Sequence, residues 1–315
     1  MPRQSPVTGH PSPALASIRA ALRDAIAQLE RERVPSAALA AELLLMHTLG
    51  RDRAWLYAHP EQELDASTHE KYFSLVARRA AGGPTQHLTG HQEFWGLDFE
   101  VTPDVLIPRP ETEHVVEVAL ARLGAAPDAN LPRPAEKFQV ADVGTGSGCI
   151  GIVLAHELPN ARIFATDISA LALDVARRNA ARHGVGSRVN FAECNLLDAL
   201  LQPSPATRHQ PVRFDLVVSN PPYIGRWEAA ALPREVREHE PEAALFGGET
   251  GTEFYAPLIT QAALLLKPSG ILVLELGHNG SEHVSHCLNM PEWTDITITR
   301  DLAGIPRVAS ALRSR

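Results

Sequence analysis

The feature that most constrains the fold is a regular alternation of short apolar runs with helical patterns after residue 137. The first run, Val140 to Val143, leads into a glycine-rich loop and then a helical pattern from about Cys149. Strands that alternate with helices pair in parallel, because each helix returns the chain to the same edge of the sheet. Six further strands are predicted over residues 162–166, 189–192, 214–219, 271–276, 295–299 and 307–312.

No long helix separates the last two of these strands, which predicts an antiparallel pair at one edge of the sheet. The expected fold class is therefore α/β, with a mostly parallel sheet of seven strands and helices on both faces.

The residues before this region have the pattern of a small helical bundle. Apolar side chains recur at three- and four-residue steps along the first predicted helix, as they do on one buried helix face. These side chains are Leu15, Ile18, Leu22, Ile26 and Leu29. Three more helices are predicted to begin after the capping residues Ser36, Asp52 and Ser67. Gly50 is predicted to end the second helix.

Changes in composition predict the domain boundaries. Residues 1–13 are rich in proline and polar side chains and are predicted to be a disordered lead-in. The helical domain is predicted over residues 14–84, where a Gly-Gly-Pro sequence stops the last helix. Residues 85–107 alternate around Gly96 and predict a β-hairpin that links the domains. The α/β domain is predicted over 108–315, with a surface loop at 125–136.

Composition excludes several classes of protein. The formal net charge of −8 lacks the basic excess of a nucleic-acid scaffold, so no direct nucleic-acid binding is expected. The three cysteines, Cys149, Cys194 and Cys287, form no Cys-x-x-Cys pair, and the histidines show no ligand spacing, so no metal is expected. Apolar runs are too short to span a membrane, and the N-terminus lacks a signal core. These features favour the cytoplasm.

A glycine-rich loop, Asp142-Val143-Gly144-Thr145-Gly146-Ser147-Gly148, lies between the first predicted strand of the sheet and its first helix. Ligands of such sheets bind at the carboxyl ends of the strands, where glycine lets the backbone approach closely. Asp167 ends the next strand, and its carboxylate can accept hydrogen bonds from a ribose. The spacing resembles the first two motifs of class I methyltransferases, which bind S-adenosylmethionine. Nicotinamide binding is the main alternative, although it favours the spacing G-x-G-x-x-G.

The sequence Asn220-Pro221-Pro222-Tyr223 follows the predicted strand 214–219 and carries the chemistry. An amide nitrogen is a poor nucleophile, because its lone pair is delocalised. The Asn220 side chain and the Pro221 backbone offer carbonyl acceptors for its two N–H bonds, and the prolines hold the loop rigid. Tyr223 can pack flat on a planar group. The motif resembles that of N-methyltransferases that act on adenine, cytosine or glutamine.

Flanking sequences narrow this resemblance to one family. They are the run from Leu106 to Glu113 (LIPRPETE), Trp95-Gly96, the run from Val236 to Pro241 with Gly247-Gly248, and the closing run from Arg300 to Val308 (RDLAGIPRV). Together with the helical N-terminal domain, they resemble the HemK-type release factor glutamine methyltransferases over about residues 15–312. That resemblance implies a Rossmann-like class I methyltransferase domain, S-adenosyl-L-methionine as methyl donor, and peptide chain release factors as protein partners.

Individual roles follow from matching motifs. The resemblance assigns cofactor binding to Asp142, Gly144, Thr145, Gly146, Gly148, Asp167, Ile168, Asn195, Leu196 and Asn220. It assigns catalysis and binding of the substrate glutamine to Asn220, Pro221, Pro222 and Tyr223. Arg109 and Glu111 are candidates for the wall of the substrate pocket. The family often has an acid and an aromatic residue where this chain has Asn195 and Leu196. Glu113 is interpreted as opening a helix, whose positive N-terminus favours acids. Trp95 is interpreted as a packing residue at the domain junction, and His239 as a structural or surface residue.

Three other functions remain open on the sequence alone. A sister enzyme methylates a glutamine of a ribosomal large-subunit protein with the same catalytic motif. Adenine N6-methylation of a nucleic acid would use similar chemistry but needs a basic recognition surface. A binding module without activity would have no need of an intact Asn-Pro-Pro-Tyr sequence.

Overall fold

The computed structural model describes residues 16–125, 136–201 and 212–315. The chain divides into two compact units, Met1–Thr89 and Gly90–Arg315. The lead-in predicted over residues 1–13 and most of the loop predicted over 125–136 lie outside the described residues. The domain bounds predicted at 84 and 107 stay predictions. None of the helices in the described ranges combines the length and the apolar surface that a membrane span requires.

The first unit is a bundle of helices around an apolar core. Its helices are α1 Ile18–Arg31, α2 Ala37–Leu49, α3 Arg53–Ala58, α4 Ala66–Ala80 and α5 Thr85–Thr89. The apolar face predicted for α1 is confirmed in part: Ile18 and Leu29 are buried, and Leu22 and Ile26 are partly buried against the same core. Leu15 lies outside the described residues, and Ala21 and Ala25 are also buried.

The capping residues of the helices agree only in part with those predicted from the sequence. Asp52 caps α3 as predicted, with its Oδ1 accepting from the Trp55 N–H at 2.7 Å, and Gly50 ends α2 in the left-handed region. Ser36 is not a side-chain cap, because it has φ +50° and makes no capping hydrogen bond. Asp65, not Ser67, caps α4, because its carboxylate accepts from both the backbone N–H and the hydroxyl of Thr68.

The predicted hairpin is shorter than residues 85–107. It consists of β1 His91–Phe94 and β2 Leu97–Glu100, whereas Thr85–Thr89 is helical. Its two-residue turn, Trp95-Gly96, has positive φ at both positions, as a type I′ hairpin turn requires. Glu113 opens a helix as predicted, and its Oε1 also accepts from the Trp95 N–H at 2.8 Å. Trp95 packs against the core of the second unit.

The second unit contains a seven-stranded sheet in the order β5-β4-β3-β6-β7-β9-β8. Strands β3 to β7 pair in parallel, and β9 pairs antiparallel with both β7 and β8. The predicted fold class and the antiparallel edge are therefore confirmed. The strands are β3 Gln139–Val143, β4 Arg162–Asp167, β5 Val189–Glu193, β6 Phe214–Ser219, β7 Leu266–Glu275, β8 Trp293–Arg300 and β9 Pro306–Arg313.

Helices cover the sheet and bury its two faces in separate apolar clusters. One cluster includes Val115 of α6 and Val153 of α7, and the other includes Leu258 of α12 and Val284 of α13. The helices of this unit are α6 Glu113–Arg122, α7 Cys149–Glu157, α8 Ala170–Arg182, α9 Asp198–Leu201, α10 Arg234–His239, α11 Glu242–Leu245, α12 Tyr255–Leu265 and α13 Gly280–Leu288.

Candidate active site

The sheet register brings the two predicted motifs to one edge. Val143 of β3 lies opposite Thr166 of β4 and Ser219 of β6, so the loops after all three strands begin at the same level. The Ser219 hydroxyl donates to the Val143 carbonyl oxygen at 2.7 Å in the buried interior. The chain runs outward from β3 through β4 and β5 and then returns to β6 on the other side of β3, so the strand order reverses next to β3. Open α/β sheets bind ligands at such a point. Gly144, Asp167 and Asn220 therefore meet at one edge.

The three glycines of the loop serve different purposes. A Cβ on Gly144 or Gly146 would meet no atom within 4 Å, so these positions face open space, and both have positive φ. A Cβ on Gly148 would lie 2.7 Å from Ile152 and 3.2 Å from the Cβ of Ala176. Gly148 therefore allows the loop to pack closely against α8 and does not line the cavity.

Asp142 and Thr145 hold this loop from beneath and also do not line the cavity. Asp142 Oδ2 accepts from the Thr145 hydroxyl at 2.6 Å and from the Gly151 N–H at 3.0 Å. Burial raises the pKa of Asp142 to about 6, although these two hydrogen bonds oppose the shift. Their geometry gives both residues a role in shaping the loop.

Asp167 ends β4 with both carboxylate oxygens engaged by backbone donors. Oδ2 accepts from the Gly146 N–H at 2.9 Å, and Oδ1 accepts from the Ser169 N–H at 2.9 Å. Burial raises the pKa of this carboxyl, and the backbone hydrogen bonds oppose that rise. A carboxylate oxygen has further acceptor capacity, so Asp167 can also accept from the hydroxyls of a ribose in the cavity it lines.

A cavity of about 500 Å³ lies along this edge. Its size is in the range of small-molecule sites. Ile168 lines it although 63% of its surface is exposed, which suits contact with an apolar ligand face. The predicted residues that line the cavity are Gly144, Gly146, Asp167, Ile168, Asn195, Leu196, Asn220, Pro221 and Pro222. An acid for ribose hydroxyls, an amide and apolar groups for a base, and open glycine positions fit S-adenosylmethionine.

A second, smaller cavity of about 200 Å³ adjoins the first. Four residues line both cavities and form a shared wall, and they are Leu106, Asn220, Pro221 and Ala244. The other lining residues of the smaller cavity are mainly apolar, and they are Arg109, Tyr223, Ile224, Leu232, Val236 and Leu245. Glu111 is exposed and lines neither cavity.

Arg109 is held by an ion pair that the sequence did not suggest. Its Nη2 donates to Glu240 Oε1 at 2.6 Å, and the Glu240 side chain is only 1% exposed. Burial raises the pKa of Glu240, whereas Arg109 lowers it. Arg109 therefore stabilises a buried charge as well as lining the smaller cavity.

We expect Arg109→Met to lower the free energy of unfolding by about 3 kcal/mol, because it leaves Glu240 charged and buried without its partner. The buried charge of Glu240 can then be removed only by protonation. The loss in the free energy of unfolding should therefore shrink as the pH falls from 8 to 5. Urea unfolding at both pH values measures this. The double variant Arg109→Met/Glu240→Met is the control and should recover most of the stability. A pH-independent loss would contradict this account of the ion pair.

Two buried polar side chains, Thr112 and Glu275, hold the partly buried Asn220 and Tyr223 from behind the cavities. Asn220 Nδ2 donates to Thr112 Oγ1 at 3.0 Å, and the Tyr223 hydroxyl donates to Glu275 Oε1 at 3.1 Å. Burial raises the pKa of Glu275 to about 7, against the opposing effect of the Thr112 and Tyr223 hydroxyls. The Tyr223 ring also lies against Gly277, where a Cβ would be 2.8 Å from Tyr223 Cδ2.

Sequence reasoning missed several residues of the site. Thr112 belongs to the recognised LIPRPETE run but received no role. Glu275 is an acid at the end of an otherwise apolar strand, and a buried charge in such a place is a usable signal. The segments 104–106 and 241–244 and Phe246 also line the larger cavity, and nothing in their residue types points to a ligand.

Comparisons with known proteins agree with this geometry. Residues 20–90 match the family described as "PrmC N-terminal domain", and residues 129–232 match the "Methyltransferase small domain". A release factor glutamine methyltransferase from Koribacter versatilis is 43% identical, over 93% of this chain and 97% of its own length. Proteins of the same name from Geobacter sulfurreducens and Chlorobaculum tepidum are 41% and 40% identical, over 94% and 92% of this chain and 96% and 95% of their own lengths.

Solved structures match the fold at low sequence identity. The catalytic domain of hMettl16, in complex with a MAT2A 3′UTR hairpin, has a TM-score of 0.52 at 17% identity, over 76% of this chain and 81% of its own. A METTL16 MTase domain has a TM-score of 0.51 at 17% identity, over 86% and 91%. Fold and site together define a Rossmann-like methyltransferase whose methyl donor is S-adenosylmethionine.

The particular family follows from the relatives. With about 40% identity over nine-tenths of the chain, this protein belongs to the release factor glutamine methyltransferase family.

Proposed function

We propose that this protein methylates the side-chain amide nitrogen (N5) of the glutamine in the Gly-Gly-Gln motif of peptide chain release factors, in the cytoplasm, and thereby modulates translation termination. The observation that carries the proposal is the shared wall of the two cavities. Asn220 and Pro221 adjoin both the cavity that fits the methyl donor and the smaller one. A planar amide in the smaller cavity would therefore lie next to the donor.

The smaller cavity suits one side chain better than a whole ligand. Its volume of about 200 Å³ is below the range of ordinary small-molecule pockets. Its apolar walls can pack against an aliphatic stem, and its polar groups, from Arg109, Asn220 and Tyr223, can meet a polar tip. Glutamine has this construction, whereas adenine presents polar atoms around most of its edge. These features support glutamine over a nucleic-acid base.

The residues of the wall orient the acceptor nitrogen. Asn220 Oδ1 and the Pro221 carbonyl oxygen accept its two N–H bonds, which holds the nitrogen in place and stabilises positive charge that develops on it. S-adenosylmethionine supplies an electrophilic methyl group when it is bound. The donor would give up this methyl group with loss of its sulfur–carbon bond, and the amide nitrogen held by Asn220 and Pro221 would then lose one proton to water. Tyr223 packs on the planar amide in this arrangement.

A transfer assay with labelled S-adenosylmethionine tests the proposal. We expect label on an intact release factor and none on its variant with the motif glutamine changed to alanine. Ribosomal protein and DNA are offered in parallel, and neither should be labelled. Label that survives the Gln→Ala change, or that appears on DNA, would overturn the proposal. Label on the ribosomal protein alone would assign the chain to the sister activity.

A further inference from the structure

The amide group of Asn220 can present two opposite surfaces to a substrate. Its Oδ1 accepts hydrogen bonds, whereas its Nδ2 only donates them. Rotation of the group by 180° would turn the NH₂ toward the N–H bonds of the acceptor glutamine. Donors would then face donors, and the nitrogen would not be oriented. Turnover on the proposed substrate therefore needs something that selects one of these two orientations.

Thr112 is the residue that contacts Asn220 on its other side. Its Oγ1 accepts from Asn220 Nδ2 at 3.0 Å, and Thr112 is only 2% exposed. Its position is fixed, because it ends the short 3₁₀ turn Pro110–Thr112, where its N–H donates to the Arg109 carbonyl oxygen at 3.0 Å. A hydroxyl both donates and accepts, so Thr112 alone would satisfy either orientation of Asn220.

Glu275 removes this ambiguity when it is ionised. It is 1% exposed, and its Oε1 accepts from the Tyr223 hydroxyl at 3.1 Å. Its Oε2 is buried without a close hydrogen-bond partner among the described residues. The neighbouring Thr112 hydroxyl, which lowers the pKa of Glu275, is the donor placed to reach this oxygen. An ionised carboxylate cannot donate. When the Thr112 hydroxyl donates its hydrogen bond to Glu275, only its lone pairs are left for Asn220.

We propose that Thr112 and Glu275 are positioning residues, which hold Asn220 with its NH₂ toward Thr112 and its Oδ1 toward the methyl acceptor. The inference rests on the proposed function, since it concerns the orientation of the same catalytic amide. Neither residue is assigned contact with the substrate. Glu275 acts on Asn220 only through Thr112, and it also fixes Tyr223 directly.

The relay depends on the charge of Glu275. The titratable groups that face it are Glu111 from the 3₁₀ turn, Arg307 from β9, Tyr223 after β6, Tyr255 from α12 and Cys149 from α7. The net result is a pKa raised to about 7, chiefly by burial. Protonated Glu275 can donate to Thr112, which can then donate to Asn220 Oδ1 and reverse the amide. Turnover should therefore fall as the pH drops below about 7.

The matched variants Thr112→Val and Thr112→Ser test the hydroxyl. Valine keeps the shape of threonine and lacks the hydroxyl, so we expect kcat to fall about 30-fold or more. The KM for the release factor and the Kd for S-adenosylmethionine should stay within about threefold. Serine restores the hydroxyl and should recover kcat to within about threefold of wild type. Wild-type kcat in Thr112→Val, or equal losses in both variants, would overturn the proposal.

Glu275→Gln tests the charge through the pH profile of kcat. Wild type should lose about tenfold in kcat per pH unit well below pH 7, as one essential carboxylate becomes protonated. The glutamine variant should have a lower kcat that no longer depends on pH in this range. An acid limb that persists unchanged in Glu275→Gln would overturn the role of Glu275.

A measurement without substrate separates this inference from the proposed function. Selective ¹⁵N labelling of asparagine reports the side-chain NH₂ of Asn220, which is assigned by its loss in Asn220→Asp. Its hydrogen exchange should be slow in wild type and Thr112→Ser, and about tenfold faster in Thr112→Val. Equal exchange in all three proteins would overturn the relay, whatever the methyl acceptor. Failure to label any release factor would overturn the proposed function alone.

Discussion

Replacement of Asn220 with alanine is expected to lower kcat by about 10³-fold, or about 4 kcal/mol in the free energy of activation. The change removes the acceptor proposed to orient the glutamine N–H bonds and to stabilise charge on the nitrogen. Asn220 lines the larger cavity together with many other residues, so the Kd for S-adenosylmethionine should change less than about threefold. Single-turnover transfer to a release factor and calorimetric titration measure the two quantities.

A matched control is available on the same sheet. Asn190 of β5 is exposed, and it lines neither of the two cavities described above. Asn190→Ala should keep both kcat and cofactor affinity. If Asn220→Ala retains more than a tenth of wild-type kcat, the assigned chemistry is wrong. A large loss of cofactor affinity would instead make binding of S-adenosylmethionine the main role of Asn220.

The second large effect is expected at Asp167. Its carboxylate accepts from the backbone N–H groups of Gly146 and Ser169 and faces the larger cavity. Asp167→Ala should therefore weaken S-adenosylmethionine binding about 100-fold. The loss of a charged acceptor for ribose hydroxyls accounts for about 1.5–3 kcal/mol, and relaxation of the glycine loop adds to it. Calorimetric titration with S-adenosylmethionine measures the change in Kd.

Asp174→Ala is the control for this variant. Asp174 lies on the adjacent helix α8 and forms an exposed pair with Arg177. Its loss removes the same charge from the chain without touching the cavity. Equal affinities in the two variants would show that Asp167 does not hold the ribose.

The parts of the fold that the sequence predicted are those with a simple local cause. Apolar runs of strand length and the glycine loop after the first of them specified the seven-stranded sheet and its switch point. Helix starts were predicted less well. Asp65 and Ser67 are both good capping residues, and only the folded structure shows that Asp65 caps α4. The predicted hairpin included residues 85–89, which form a short helix. Their sequence has no pattern that separates a short helix from a strand.

The residues of the candidate site also fall into those that local sequence predicts and those that it does not. Gly144, Gly146, Asp167 and Asn220 follow strands directly, so their place at one edge was predictable. Asp142, Thr145 and Gly148 belong to the same motif, yet the structure places them beneath or behind the loop. Thr112 and Glu275 lie far apart in the sequence, and no local pattern could indicate that both lie beside Asn220 and Tyr223. Such groups depend on tertiary packing.

The pairing of β3 with β6 has a mechanical consequence. Neighbouring strands are about 4.8 Å apart, so the separation between the donor loop and the acceptor loop is a property of the backbone ladder. A slip of one residue between these strands would turn every β6 side chain to the opposite face, Ser219 included. The hydrogen bonds between β3 and β6 in the interior of the sheet therefore fix the relative position of the reacting groups. Distant core substitutions that loosen the ladder should inactivate the enzyme before they unfold it.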